Sequence, residues 1–132
     1  MELPSQANVN AKPVTALRDW LDRLSETERL AVIRPNVALK YELAAIAKRL
    51  DGEAATVFPS PGGHSISVIS GLVSDRSWIA EAMGVNPSHL LQRFQEAARA
   101  PILWREVETA PAQEIVHREI DLLRLLPIPM HN

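Results

Sequence analysis

The sequence has 132 residues, of which 46% are hydrophobic and 23% are charged, and these values are near the average for soluble globular domains. Its 14 basic and 16 acidic residues give a formal net charge of −2 with the two signs interspersed, so nothing indicates a nucleic-acid-binding or membrane-attracting surface. The absence of cysteine excludes disulfides, thiolate nucleophiles and zinc–thiolate sites. No apolar run approaches a membrane span and the first residues lack the features of a signal peptide, so we expect one cytoplasmic domain.

A polar segment, residues 1–13, contains two prolines and is predicted to be a flexible tail. A helix is predicted over residues 15–24, with Thr15 as its N-cap, because large apolar side chains recur there with helical spacing. These side chains are Leu17, Trp20, Leu21 and Leu24. A short apolar run at residues 30–33, which Pro35 ends, predicts a buried strand.

The middle of the chain predicts a second helix and two strands. The helix covers residues 39–50, where an apolar stripe and three alanines favour helix and Gly52 stops it. Strands are predicted at residues 54–58 and 66–72, with a Pro- and Gly-rich turn at residues 59–63 between them. The two strands could form a hairpin or a wider crossing, since the glycine pair is compatible with both.

Two further helices are predicted at residues 75–83 and 87–100. Ser74 can cap the first, and Asn86 followed by Pro87 starts the second. The second helix is expected to bury one face, which comprises Leu90, Leu91, Phe94 and Ala98. Residues 102–107 and 114–120 are predicted to be strands. Helices and strands interleave without βαβ regularity, so we expect an α+β fold in which helices cover a mixed sheet of four to six strands in a single domain.

Few residues are typical of a catalytic site. The sequence from Pro61 to His64 lacks the Walker and dinucleotide fingerprints, so we interpret it as a turn rather than a phosphate loop. Glu106 and Glu108 alternate on one face of a predicted strand, where acidic side chains are usually solvated. The histidines are too scattered for a helical metal pair, and all are interpreted as surface or loop residues, namely His64, His89, His117 and His131. Trp20 and Trp78 are predicted to lie in the core and Trp104 at an interface.

The last part of the chain combines apolar residues with two prolines. Pro127 and Pro129 fix φ and remove two backbone donors, so no helix continues past Leu126 and the chain is expected to leave the domain extended. Six large apolar residues fall within nine positions, and no helical or alternating period places them all on one face. They are Leu122, Leu123, Leu125, Leu126, Ile128 and Met130. Residues 122–130 are therefore predicted to be a docking edge that another chain or domain covers.

The same region resembles a known family. The Ala-Pro-x-Gln-Glu sequence ending at Glu114, the Asp-Leu-Leu-x-Leu sequence beginning at Asp121, and the Pro-Ile-Pro sequence that precedes Met130 and His131 resemble the interdomain junction of UbiD decarboxylases. Four shorter matches precede it in the same order, at residues 17–24, 42–46, 56–58 and 82–84. The resemblance implies a UbiD-like amino-terminal domain at residues 14–126 and an extended junction at residues 127–132 that leads toward a catalytic domain.

Members of this family are reversible, non-oxidative decarboxylases of aromatic or α,β-unsaturated acids. They use prenylated FMN with a divalent metal, Mn, and K, and the flavin accepts the electrons that are released as CO₂ leaves. The resemblance places the catalytic and cofactor-binding residues beyond the junction, so we expect none on this chain. The residues it carries over mark the junction only, and they are Glu114, Asp121, Pro127, Pro129 and His131. With Leu126, Ile128 and Met130 of the docking edge, they are the junction and interface candidates. Glu114 is expected to bond backbone or to pair with an arginine.

Several interpretations of the whole chain remain open at this stage. It is either a fragment of a longer decarboxylase or the small subunit of a split one, with a catalytic domain or subunit as its partner and a homo- or hetero-oligomer as the expected assembly. The alternative is a free-standing, non-catalytic module that binds or regulates a larger decarboxylase subunit. An unrelated α/β protein with a chance resemblance is disfavoured by the five ordered matches.

Overall fold

Three strands and five helices make up the part of the chain that the computed structural model describes, residues 13–131. Except for Pro13, the predicted tail at residues 1–13 lies outside these described residues. The helices are α1 (Leu17–Glu26), α2 (Glu42–Arg49), α3 (Arg76–Ala82), α4 (Leu90–Arg99) and the one-turn α5 (Leu122–Leu125). The strands are β1 (Leu30–Val32), β2 (Ala55–Phe58) and β3 (Val68–Ser70), and 3₁₀ turns occupy Pro61–Gly63, Pro87–His89 and Pro111–Gln113.

The sheet is mixed and has the order β1-β2-β3. Strand β2 lies parallel to β1, with α2 in the connection, and antiparallel to β3, so the open question about β2 and β3 is resolved as a hairpin. The hairpin turn requires glycine, because Gly62 has φ +59° and a Cβ there would lie 2.9 Å from the Leu39 side chain. The predicted α+β fold, a mixed sheet covered by helices in one domain, is confirmed.

Strand β2 is the centre of the core. Ala55 and Phe58 are three positions apart on β2, so their side chains point to opposite faces of the sheet. One face packs against α1 and α3 and the other against α2 and the loop before it. The buried residues of the first cluster are Trp20, Leu24, Ala55 and Trp78, and those of the second are Val37, Leu43 and Phe58. The core positions predicted for Trp20 and Trp78 are therefore confirmed.

The helix starts differ from two of the predictions. Thr15 does not cap α1, since the N-cap is Ala16 and no side-chain cap is present. Ser74 does not cap α3 either, because its hydroxyl donates to the Gly71 carbonyl at 2.7 Å, and Asp75 accepts from the Ser77 amide at 2.6 Å instead. The Asn86 cap is confirmed, with the Ser88 amide donating to the Asn86 side chain at 2.9 Å.

Helix α2 begins three residues later than predicted, at Glu42. Tyr41 has φ +66° and ψ −43°, and the Glu42 amide donates to the Lys40 carbonyl at 2.8 Å, which is the geometry of a γ-turn. This conformation is strained for a residue with a side chain, so a neighbouring contact must hold it. The neighbour is the end of the chain, since Lys40 forms an isolated parallel bridge with Met130.

The strands predicted at residues 102–107 and 114–120 are absent from the described part of the chain, and the sheet has three strands rather than four to six. Strand β3 is also shorter than predicted. Alternating apolar residues indicate that a segment is compatible with a strand, but a strand forms only where another segment pairs with it. Here the two predicted strands run as an exposed, irregular connection.

The buried face predicted for α4 is also wrong. Only Leu90 is buried, whereas Leu91 is 61% exposed and Phe94 is 51% exposed. From residue 91 to residue 126 every residue is exposed except Ala110. We call residues 100–126 the arm and residues 127–131 the junction. The arm begins where α4 ends, and it leaves the core without packing on it.

Candidate interface at the arm and junction

The junction returns to the core beside the start of α2. Pro127 is buried, and Leu126 before it has the extended backbone (φ −118°, ψ +141°) that a residue preceding proline favours. The Met130 amide then donates to the Leu39 carbonyl at 3.0 Å, and the Tyr41 amide donates to the Met130 carbonyl at 2.9 Å. We call these two hydrogen bonds the Met130 tie. The tie thereby gives a partner to the Tyr41 amide, which lies at the N-cap of α2 and has no acceptor within the helix.

A groove of about 560 Å³ lies between α2, β3 and the junction. Alanines on α2, residues 68–70, and Pro129 and His131 of the junction line it. The lining residues with polar side chains are Tyr41, Lys48, Ser70 and His131. His131 is exposed, in agreement with its interpretation as a loop residue.

The large apolar side chains of the predicted docking edge are all exposed, although Pro127 between them is buried. Its six large apolar side chains have exposed fractions between 36% and 64%. In order these are Leu122 53%, Leu123 64%, Leu125 45%, Leu126 39%, Ile128 36% and Met130 46%. Large apolar side chains are also exposed at the start of the arm, where Ile102 is 99% exposed and Trp104 is 82% exposed. Contiguous apolar exposure of this kind is typical of a surface that another chain or domain covers.

The two acidic junction candidates, Asp121 and Glu114, differ in the hydrogen bonds that they make. Asp121 caps α5, and its carboxylate accepts from the Leu123 amide at 3.1 Å and from the Arg124 amide at 3.3 Å. Glu114 is exposed at the end of the third 3₁₀ turn, and its side chain makes no hydrogen bond or ion pair within residues 13–131. The pairing expected for Glu114 therefore stays a prediction about the assembled protein.

The sequence interpretation missed a cluster around Arg29. The Arg29 guanidinium lies 5.9 Å from the Trp20 ring centroid and 5.2 Å from that of Trp78, and it donates to the Glu81 carboxylate at 2.9 Å. The Trp20 indole N–H also donates to the Leu72 carbonyl at 2.9 Å. Because these residues are far apart in sequence, no periodic pattern could have linked them. The cluster joins α1, α3 and the residue that precedes β1, and it has a structural role.

The described residues offer little for catalysis. Within residues 13–131 no group of three His, Asp or Glu side chains is placed to hold a metal ion. Glu106 and Glu108, predicted to be solvated, are exposed. The one clear pKa shift concerns Asp75, whose pKa is lowered by the Ser77 hydroxyl and by the Ser77 amide, and this residue is a helix cap. None of the helices described is long and apolar enough to cross a membrane.

Comparison with known proteins identifies the domain. Residues 21–98, more than half of the chain, match the model of the 3-octaprenyl-4-hydroxybenzoate carboxy-lyase N-terminal domain of the UbiD family. An uncharacterised protein in the cooM 5′ region of Rhodospirillum rubrum is 32% identical over 120 residues, which cover 84% of this chain and 25% of that protein. The anhydromevalonate phosphate decarboxylase of Methanosarcina mazei is 29% identical over 114 residues, which cover 86% of this chain and 26% of that enzyme.

Solved structures agree with these sequence relatives. The UbiD-class enzyme HmfF from Pelotomaculum thermopropionicum, solved in complex with FMN, superposes with a TM-score of 0.79 and 35% identity over 88% of this chain and 27% of that one. An evolved dimeric form of HmfF, solved in complex with prFMN, gives a TM-score of 0.80 and 35% identity over 89% of this chain and 28% of that one. The chain thus spans about a quarter of the length of the relatives that it matches. By family model, sequence and fold together, this chain belongs to the UbiD family as an amino-terminal domain.

Proposed function

We propose that this domain is the amino-terminal domain or the small subunit of a reversible, non-oxidative decarboxylase that acts on aromatic or α,β-unsaturated carboxylic acids. It contributes scaffold, assembly and part of the surroundings of the active site, and other parts of the enzyme supply the catalytic residues. The observation that carries the proposal is the combination of a folded UbiD-type core with an apolar arm that this core leaves uncovered. The relation to a decarboxylase and to a UbiD-class enzyme supports the reaction class.

In this proposal the domain covers residues 14–126, and residues 127–132 lead toward the catalytic part. The docking edge at residues 122–130 would pack on that part, and Glu114, Asp121 and His131 would lie at its border. The fixed course of the junction supports this assignment, because Pro127 and the Met130 tie direct the chain past the groove between α2 and β3.

The cofactor of the complete enzyme would be prenylated FMN with Mn and K. The described residues of this chain do not fit that group, because they lack a donor set for a metal ion. The flavin and its ions would therefore be held by the rest of the enzyme. Solved relatives that contain FMN and prFMN support a flavin in the complete protein. We further propose a cytoplasmic homo- or hetero-oligomer.

A non-catalytic module that binds or regulates a larger decarboxylase subunit is the second candidate, and the exposed docking edge favours it equally. The two candidates differ in whether the domain is produced as a separate polypeptide or as part of a longer one. The intact mass of the protein purified from its natural source, compared with the length of its reading frame, shows whether the domain is produced alone or as part of a longer chain.

The test of the proposed function is reconstitution with prenylated flavin, Mn and K, followed by gel filtration. The isolated 132-residue chain should lose the flavin absorbance and release no CO₂ from an unsaturated acid, because its described residues offer no donor set for the metal ion that accompanies the flavin. The complete enzyme, prepared in the same way, should retain flavin and decarboxylate. Stoichiometric flavin retention by the isolated chain would contradict the proposal, as would a complete enzyme without decarboxylase activity.

A further inference from the structure

The backbone of the arm is unpaired in two long segments. In the part of the chain that the structure describes, residues 102–109 and residues 115–120 make no backbone hydrogen bond. Only the 3₁₀ turn between them is bonded internally, through the Gln113 amide to the Ala110 carbonyl and the Glu114 amide to the Pro111 carbonyl. All of these unpaired residues are exposed. Such a row of free donors and acceptors is what a strand offers before a neighbour pairs with it.

The side chains of both segments are typical of strands. Aliphatic, β-branched and aromatic residues dominate them, and these residue types favour a pleated, half-buried surface. Their exposed fractions are high: Leu103 86%, Trp104 82%, Val107 52%, Ile115 73%, Val116 71% and Ile120 49%. The two segments belong to one chain and are joined by a short turn, yet the structure does not pair them with each other. The described residues therefore supply no partner strand for either segment.

The course of the arm is shared with a larger enzyme. The superposition on HmfF covers 88% of this chain but only 27% of HmfF, so it extends beyond the core into the arm, and the matching segment sits in a protein roughly three times as long. Every residue of the arm except Ala110 is exposed, so the described core covers little of the arm. The remaining length of such an enzyme is sufficient to supply the missing contacts.

The distribution of charged residues in the arm indicates which class of partner could bind it. The arm carries three arginines and five carboxylates, and these are interspersed rather than clustered. They are Arg105, Arg118 and Arg124, with Glu106, Glu108, Glu114, Glu119 and Asp121. A nucleic acid, a membrane surface or a strongly charged protein would bind a surface whose charges are mostly of one sign. The matching partner is an apolar surface with free strand edges.

We infer that residues 102–107 and 115–120 become β-strands only when the arm docks, and that they pair with strand edges of the flavin-binding part of the enzyme. The inference rests on the proposed function, because it takes the remainder of a UbiD-type decarboxylase as the partner. It assigns the arm a coupled folding step, in which backbone pairing and apolar burial occur together.

Hydrogen–deuterium exchange, read by mass spectrometry at peptide resolution, tests the inference on two samples. In the isolated 132-residue chain, peptides within residues 102–107 and 115–120 should exchange at the rate of unstructured peptide, while β1 and β2 are protected. In the complete enzyme the same peptides should exchange more than about a hundredfold more slowly. Protection of these peptides in a monomeric isolated chain would overturn the inference, as would protection that depends on dimerisation of the isolated chain.

Substitutions in the second segment separate backbone pairing from side-chain packing. Val116→Pro and His117→Pro each remove one amide donor, and consecutive amides of a strand point to opposite sides. At least one of these two variants should therefore weaken assembly with the flavin-binding part by about tenfold or more. Val116→Ala keeps the donor and is the matched control, expected to have a smaller effect. None of the three should change the unfolding midpoint of the isolated chain, because the arm is unpaired there.

The two proposals fail in different ways. A complete enzyme that binds no flavin and decarboxylates nothing contradicts the proposed function. An active, flavin-loaded enzyme in which the arm still exchanges rapidly, or in which both proline variants assemble normally, leaves the function intact and overturns the coupled folding of the arm.

Discussion

At the scale of single residues, Arg29 shows what a local pattern cannot predict. Trp20 and Trp78 were each predictable as core residues from the apolar face of their own helix. Their shared contact with Arg29, and the ion pair of Arg29 with Glu81 52 positions away, depend on the packing of α1 against α3. The side chains of this pair are only 21% and 11% exposed, so it lies in a partly desolvated setting. An arginine in such a setting needs its counter-charge.

Glu81→Gln should therefore lower the free energy of unfolding by about 1–3 kcal/mol, since it leaves Arg29 partly buried without its carboxylate. Glu96→Gln is the matched control. Glu96 also pairs with an arginine, Arg93 at 3.3 Å, but both side chains are about half exposed, and the loss should be below about 0.5 kcal/mol. Urea unfolding followed by circular dichroism measures both. Equal effects of the two variants would show that the Trp–Arg–Trp cluster adds nothing.

Asp75 should make stability depend on pH in acid. The Ser77 hydroxyl and amide hold its pKa below the ordinary value of 3.8 in the folded chain. A group with a lowered folded pKa stabilises the fold above its unfolded pKa, and that contribution is lost as the pH falls through the folded pKa. Asp75→Asn keeps a capping side chain but cannot titrate. The advantage of the wild type over this variant should therefore shrink below about pH 4.

Asp75→Ala, which removes the cap, should cost about 1 kcal/mol at neutral pH. Urea unfolding of the three proteins between about pH 3 and pH 7 checks both expectations. A constant difference between the wild type and Asp75→Asn across this range would contradict the assignment of the lowered pKa to the folded state.

At the scale of elements, the helices were predictable, whereas two of the segments predicted as strands did not form strands. The four predicted helices are present because each has an apolar stripe or a cap that acts within a few residues. The start of α2 was misplaced, because the Tyr41 γ-turn is held by Met130, a partner about ninety positions away in the chain. The strands predicted at residues 102–107 and 114–120 had suitable residues but no paired neighbour among residues 13–131. Strand prediction from residue types fails where no other segment pairs with the predicted strand, because pairing depends on contacts that are distant in sequence.

The docking edge at residues 122–130 should make the isolated chain self-associate or bind its partner. Covering a large apolar side chain contributes about 1.5–3 kcal/mol before the costs of association. The double variant Leu126→Ser/Ile128→Ser should therefore weaken association and leave the helical signal unchanged. Val73→Ser is the control, because Val73 is 60% exposed but lies outside this edge. Sedimentation velocity measures association, and a clean monomer before the change with no difference after it would contradict the docking edge.

At the scale of the whole molecule, the chain divides into a folded core and an uncovered arm. The family match at residues 21–98 includes all three strands and ends within α4, so it coincides with the part that folds on itself. The α+β class and the family were predictable from the sequence. The exposure of α4 and the arm was not, since an apolar stripe does not show whether another element of the chain packs on it. The junction candidates were predictable as a segment, but the Met130 tie was not.

The Met130 tie also makes the arm a closed loop, because the chain leaves the core at α4 and returns at Leu39 and Tyr41. Joining the ends of a flexible loop of this length costs about 3 kcal/mol of chain entropy. Two backbone hydrogen bonds return about 0.5–1.5 kcal/mol each, so closure in the isolated chain is close to balanced. A partner that binds and orders the arm lowers the entropy that the chain loses when the Met130 tie forms, so the partner favours the tie. By reciprocity, formation of the tie raises the affinity for that partner by the same factor by which the partner favours the tie. The tie thereby couples the ordering of the arm to the conformation at the start of α2.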